Sequence, residues 1–139
     1  MALGYSITAK LDAYYDSNNI EFILNKGITI GLRYSEFILG KIDYSSAPYL
    51  SLNKALEAVI QGISDSSLHC LVVKFQETFA TLHFVNDGKY LLIMFSGMSF
   101  LWSKKYSNGK EDIDIARYTR LLLDLVDDFK ILELHVEKD

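Results

Sequence analysis

Cysteine is almost absent from this 139-residue chain. Cys70 stands alone, so no internal disulfide can form, and the usage agrees with a reducing compartment. Long apolar runs are missing too. The longest, Tyr90 to Phe95, is far short of the roughly 20 residues that a membrane span needs. The opening residues Met1-Ala2-Leu3-Gly4-Tyr5 show neither the basic stretch nor the apolar stretch of about 7–15 residues that mark a secretory signal, so the expected location is the cytoplasm. Positive charge is not in excess: the formal net charge of −4 argues against general nucleic-acid affinity, which draws on surplus cations to release phosphate counterions. Catalytic signatures are lacking as well. Gly27, Gly31 and Gly40 do not make GxGxxG, and there is no Walker lysine pattern, HExxH or GxSxG. No internal repeat, low-complexity tract or linker interrupts the chain.

What is present is ordinary globular composition, 50% apolar and 23% charged, which excludes disorder and disulfide scaffolds. The length fits one α+β domain spanning residues 1–139, able to bury roughly two thirds of its unfolded surface. Tyrosine is the abundant residue, with nine: Tyr5, Tyr14, Tyr15, Tyr34, Tyr44, Tyr49, Tyr90, Tyr106 and Tyr118. Such amphipathic rings suit half-buried sheet faces and interfaces.

The stretch from Leu68 to Trp102 carries the strongest structural signal. Asn86-Asp87-Gly88 separates two β-rich runs, Phe79 to Val85 and Lys89 to Phe95, as a type I′ hairpin turn or a three-residue loop with Gly88 in a bulge. With Leu68 to Phe75 before them and Phe100-Leu101-Trp102 after the Gly97 break, a four-stranded meander is expected. The run Tyr90 to Phe95 is apolar on both faces, which predicts a central strand covered on both sides. Two amphipathic helices follow from spacing. Leu52, Ala55, Leu56, Val59, Ile60 and Ile63 share one face behind a Ser51 cap, after a turn at Ala47-Pro48. Ile115, Tyr118, Leu122, Leu125, Val126 and Phe129 share another within Asp112 to Phe129. A last strand, Ile131 to Val136, alternates Ile131, Glu133 and His135 against Leu132, Leu134 and Val136. Earlier, Tyr5 to Ala13 and Ile28 to Tyr34 read as strands. Ile20 to Leu24 reads as a strand closed by Asn25-Lys26-Gly27, or as a helix capped by Ser17 with Gly27 at C′; helix is the expectation. The fold class is α+β, an antiparallel sheet of about five to seven strands with amphipathic helices packed against it.

His69, Cys70 and His83 are the candidates for nucleophilic or metal chemistry in the middle of the chain. Neighbours on a strand point to opposite faces, so His69 and Cys70 do not form a pair. A three-residue loop at Gln76 to Thr78 would pair His83 with Leu71, on the His69 face, and a one-residue slip would put it on the Cys70 face. A dyad or a metal site needs further ligands or an orienting carboxylate, and His135 is the remaining histidine. The expectation is therefore satisfied sheet histidines and an inert thiol, with no catalytic residue, metal or cofactor. The lysine-rich loop Ser103 to Lys110 with Trp102 and Tyr106 has a composition that meets phosphate and base, but nothing elsewhere continues the stripe.

Acidity is concentrated at the end. From Glu111 to Asp139 nine acids face four bases, so this segment carries −5 of the total −4 and the rest of the chain +1. Asp127 and Asp128 fall in the predicted last helical turn, where the macrodipole disfavours carboxylates and no partner is apparent. Places that break a local rule are enriched in function. The alternative is a solvated face that keeps the domain soluble.

A small acidic chain of this class without catalytic motifs resembles the immunity proteins of bacterial contact-dependent inhibition and related polymorphic toxin systems, most of all over Trp102 to Phe129. The resemblance implies a non-enzymatic module that binds a toxin domain, in many cases a basic nuclease, through an acidic, tyrosine-bearing surface. The expected contact residues are Asp114, Asp124, Asp127, Asp128, Tyr106 and Trp102, and the expected partner is a basic protein. The alternative is a small-molecule-binding or catalytic domain with a pocket between sheet and helices, lined by His83, Tyr90 and Trp102.

Overall fold

A computed structural model of the chain describes residues 4–39, 42–43, 57, 61, 70–75 and 80–138. Its elements are β1 (Tyr5–Tyr14), α1 (Ser17–Thr29), β2 (Tyr34–Leu39), β3 (Ile42–Asp43), β4 (Cys70–Phe75), β5 (Thr81–Asp87), β6 (Tyr90–Ser96), β7 (Ser103–Lys105), β8 (Glu111–Ile113), α2 (Ile115–Leu125) and β9 (Ile131–Lys138). The expected helix from Leu52 to Ile63, the Ala47-Pro48 turn, His69 and the Gln76–Thr78 loop lie outside the described residues. Glu57 and Gln61, both described, have helical backbone and exposed side chains, as the polar face of that helix requires.

Seven strands form one antiparallel sheet in the order β3-β2-β4-β5-β6-β1-β9, and β7 with β8 forms a separate two-stranded ribbon. This is the expected α+β architecture. Period-two alternation sorts the sheet into two faces. On one, Ile7, Ala9, Leu11, Leu71, Val73 and Phe75 are fully buried, as are Leu82, Phe84, Leu91, Ile93 and Phe95. Ile20, Ile23 and Leu24 of α1 and Tyr118, Leu122 and Leu125 of α2 join the same apolar cluster. Burying each large apolar side chain contributes about 1.5–3 kcal/mol. Surface ion pairs contribute far less, so this layer holds the fold.

The β5–β6 hairpin forms, but its turn sits one residue later than expected. Asp87 lies opposite Tyr90, so Asn86 and Asp87 extend β5 and the two-residue loop is Gly88-Lys89. Gly88 has φ +65°, the sign both primed hairpin turns require at their first central position. β6 is central, between β5 and β1, yet it is buried on one face only. Leu91, Ile93 and Phe95 are buried while Tyr90, Leu92 and Met94 are half-buried, because both described helices lie on the same side. The register pairs His83 with Val72, not Leu71.

Four further expectations are corrected. Phe100-Leu101-Trp102 is not a fourth meander strand: Phe100 and Leu101 form a turn, and β1 takes the place beside β6. Ile28 to Tyr34 is not a strand, because α1 runs on to Thr29 and β2 starts only at Tyr34. The α1 cap is Asp16, whose carboxylate accepts from the Asn19 N–H at 2.8 Å, and Gly27 lies within the helix rather than after it. The second helix is shorter than Asp112 to Phe129. Glu111–Ile113 pairs with Ser103–Lys105, and beyond Leu125 the chain turns through Val126 to Asp128.

Candidate functional site

Asp114 starts α2. Its carboxylate accepts from the Arg117 N–H at 3.1 Å, and its own N–H donates to the Trp102 carbonyl at 2.9 Å. The cap therefore fixes the helix and the preceding turn together. Along α2 the residues Arg117, Arg120, Leu121 and Asp124 recur at i, i+3, i+4 and i+7, one stripe beside the buried stripe of Tyr118, Leu122 and Leu125. Trp102 packs against this boundary. Its ring centroid is 4.8 Å from that of Tyr118, and the Arg117 guanidinium carbon lies 4.1 Å from it. Trp102, Arg117, Arg120, Leu121 and Asp124 line an open groove of about 320 Å³.

The approach to this groove is apolar and braced. Tyr118, wholly buried, donates from its hydroxyl to the Ser99 carbonyl at 2.9 Å, and burial pushes that phenol's pKa upward. Met98 is buried before it and Ile113 after it. Between these anchors Phe100 is 55% and Leu101 60% exposed, the side chains of a fixed turn left facing water. The ribbon is tied down as well. The Tyr5 hydroxyl donates to Asp112 at 2.7 Å and Lys138 lies 3.7 Å from the same carboxylate, which the Tyr5 bond above all holds below the usual carboxylate range. Tyr106, at the ribbon's end, is 43% exposed, with Lys104 Nζ 5.7 Å from its ring centroid.

The structure brings Trp102 and Asp124 into one groove and makes Asp114 the brace beneath it. It separates Asp127 and Asp128 from them. Both are in the turn after α2, not in its last helical turn, and both accept hydrogen bonds from Lys26 of α1, Asp128 at 2.7 Å. The expectation that they lack a partner is overturned: Lys26 bridges the two carboxylates, offsetting one of their two charges, and ties the two helices, and its hydrogen bond lowers the Asp127 pKa. Phe100, Leu101, Arg117 and Arg120 were not among the expected contact residues. The signal for the arginines is in the chain as the i, i+3, i+4, i+7 stripe. The signal for Phe100 and Leu101 is only that they follow Gly97 and adjoin Trp102.

Among the described residues, Tyr90 and Trp102 line separate clefts and His83 lines neither of them. His83 is hydrogen-bonded to Ser96, Nε2 to Oγ 2.7 Å, on the half-buried face of the sheet, and burial lowers its pKa. Tyr90 lines a different open cleft of about 380 Å³ with Asp12, Ala13, Tyr14, Asn19, Lys89 and Phe129. Among the described residues no three His, Cys, Asp or Glu side chains are grouped to hold a metal ion. No described helix is long and apolar enough to cross a membrane.

Fold and site define an α+β domain with a one-sided sheet, a braced apolar turn and an aromatic-arginine groove. No protein-family model, curated protein or solved structure matches the chain.

Proposed function

We propose that the chain is a non-enzymatic protein-binding module, an inhibitor of the immunity type that neutralises a toxin domain, and that it binds through the Trp102 surface. One observation carries this reading. Phe100 and Leu101 are held in water by a turn whose Ser99 and Trp102 carbonyls each accept a hydrogen bond, beside a tryptophan that contacts both Tyr118 and Arg117. Exposing large apolar side chains on a rigid mount costs solubility, and such mounts are what interface hot spots use: aromatic and arginine anchors whose ordering is complete before the partner arrives. The net charge of −4 steers a basic protein toward the molecule over a Debye length. The groove then supplies the short-range fit, with Asp124 as its acid and Arg117 and Arg120 as donors for carboxylates or carbonyls. Cytoplasmic residence agrees with this role.

Coexpression with the products of neighbouring reading frames tests the reading. One of them should arrest growth alone and be relieved by this chain. A photocrosslinking residue at position 101 should then capture that protein, while the same residue at position 35, on β2, should not. Relief that survives Phe100→Asp with Leu101→Asp in a folded chain overturns the proposed surface. If no neighbouring product is relieved or bound, the inhibitor role falls.

A further inference from the structure

Among the described residues, the apolar face of the sheet continues past β1 onto β9 without cover. Ile7 and Ala9 of β1 are wholly buried, yet Val136 and Leu134, opposite them in β9, are 47% and 42% exposed, and Leu132 is 39% exposed. Among the described residues β9 pairs with β1 alone, which leaves the outer N–H and C=O groups of an eight-residue strand open. Proteins blunt such edges with short strands, proline, bulges or covering loops, because an open edge templates pairing. The opposite edge is blunted: β3 has two residues. β9 has no proline, and its one register shift lies near its start, opposite Lys10 and Leu11.

We infer that β9 is a homodimer interface, in which two copies pair antiparallel edge to edge about a two-fold axis at Leu134 and join their sheets into one. An axis normal to the sheet keeps the apolar faces of both copies on the same side, so facing residues must share that side. Centred on Leu134, the pairing sets Leu134 beside the partner's Leu134 and Leu132 opposite the partner's Val136, which closes the uncovered stripe. On the other face it sets Glu133 opposite the partner's His135, twice by symmetry, so each carboxylate meets an imidazole N–H. Within one chain these two side chains already approach to 3.5 Å and are more than half exposed. Moving the axis one residue either way sets Glu133 against itself or against Glu137, and like charges directly opposite are destabilising. The strand is thus complementary to its own copy in one register, and a second copy is the occupant that fits.

Sedimentation velocity at about 100 μM, above the dissociation constant of a small specific interface, should give twice the 15.8 kDa mass of the chain. Leu134→Lys should return the chain to monomer with its far-ultraviolet circular dichroism unchanged. Glu133→Lys, at an exposed site, should weaken the dimer by about tenfold, and exchanging the pair, Glu133→His with His135→Glu, should restore it. A parent chain that sediments at single mass overturns the inference. So does a dimer that survives Leu134→Lys, or an exchanged pair no tighter than the single variant.

Discussion

Position 27 shows how a distant side chain dictates a local residue. A Cβ there would lie 2.0 Å from the Tyr34 hydroxyl oxygen, which donates to the Leu24 carbonyl at 2.9 Å from a buried ring. In an open helix Gly→Ala stabilises; here Gly27→Ala should destabilise by roughly 1–3 kcal/mol through overpacking. Denaturant midpoints check this, and Tyr34→Phe, which removes the oxygen, should reduce the cost of the alanine. The sequence alone suggests Gly27 as a helix stop because the Tyr34 contact, the actual reason for glycine, is tertiary. His83 makes a second residue-scale prediction. Burial lowers its pKa below the ordinary 6.5, so at mildly acid pH the unfolded chain binds the proton more readily than the folded one. Its contribution is complete above about pH 6.5 and is lost as pH falls toward the folded pKa. Stability of the parent should therefore decline below that point, and the decline should be shallower in His83→Gln; identical profiles would remove His83 from the account.

Among elements, α1 meets the end of α2 through one cation and through an edge contact between Phe22 and Phe129, ring centroids 5.8 Å apart. Lys26 bonds both Asp127 and Asp128, and its own pKa is raised, chiefly by the Asp127 bond. Changing both acids to Asn should lower the thermal midpoint at neutral pH, opposite to the gain expected of carboxylates facing a macrodipole alone. The bond lowers the Asp127 pKa, so its contribution is present above the unfolded carboxylate value and is lost as pH falls through the folded one. The gap between variant and parent should close in acid. The hairpin is tested by Gly88→Val, a β-branched residue at φ +65°, which should cost roughly 1–3 kcal/mol; an unchanged denaturant midpoint would contradict the turn. The buried stripe of α2 and the hairpin of β5 and β6 were legible because periodicity and turn chemistry are properties of neighbouring residues. Lys26 was not, since nothing local links it to residues a hundred positions away. Phe100 to Trp102 was misread for the same reason: β-rich composition resembles a strand, and only the arrival of β1 beside β6 denies it a place in the sheet.

For the molecule as a whole, burial among the described residues is one-sided and strongest at the centre of the sheet. Amide hydrogen exchange should be slowest in β5 and β6, which have neighbours on both sides and fully buried Leu82, Phe84, Leu91, Ile93 and Phe95. It should be faster in β9 under dilute conditions; equal protection in β9 and β6 there would contradict the edge assignment. The fold class and the presence of a central antiparallel hairpin were readable from composition and pattern. The strand order was not, because it depends on where β1 inserts.

That insertion has a kinetic consequence. Ile7 lies opposite both Phe95 and Val136, so the earliest strand to be synthesised joins two of the latest. While β2 to β5 can pair as their residues emerge, β1 must wait for β6 on one side and β9 on the other. Loop closure of that length is entropically costly and slow, and until it happens the apolar side chains of Ile7, Ala9 and Leu11 have no strand beside them. The nascent chain therefore exposes an unpaired, sticky strand until β6 emerges, and β9 completes the sheet around it.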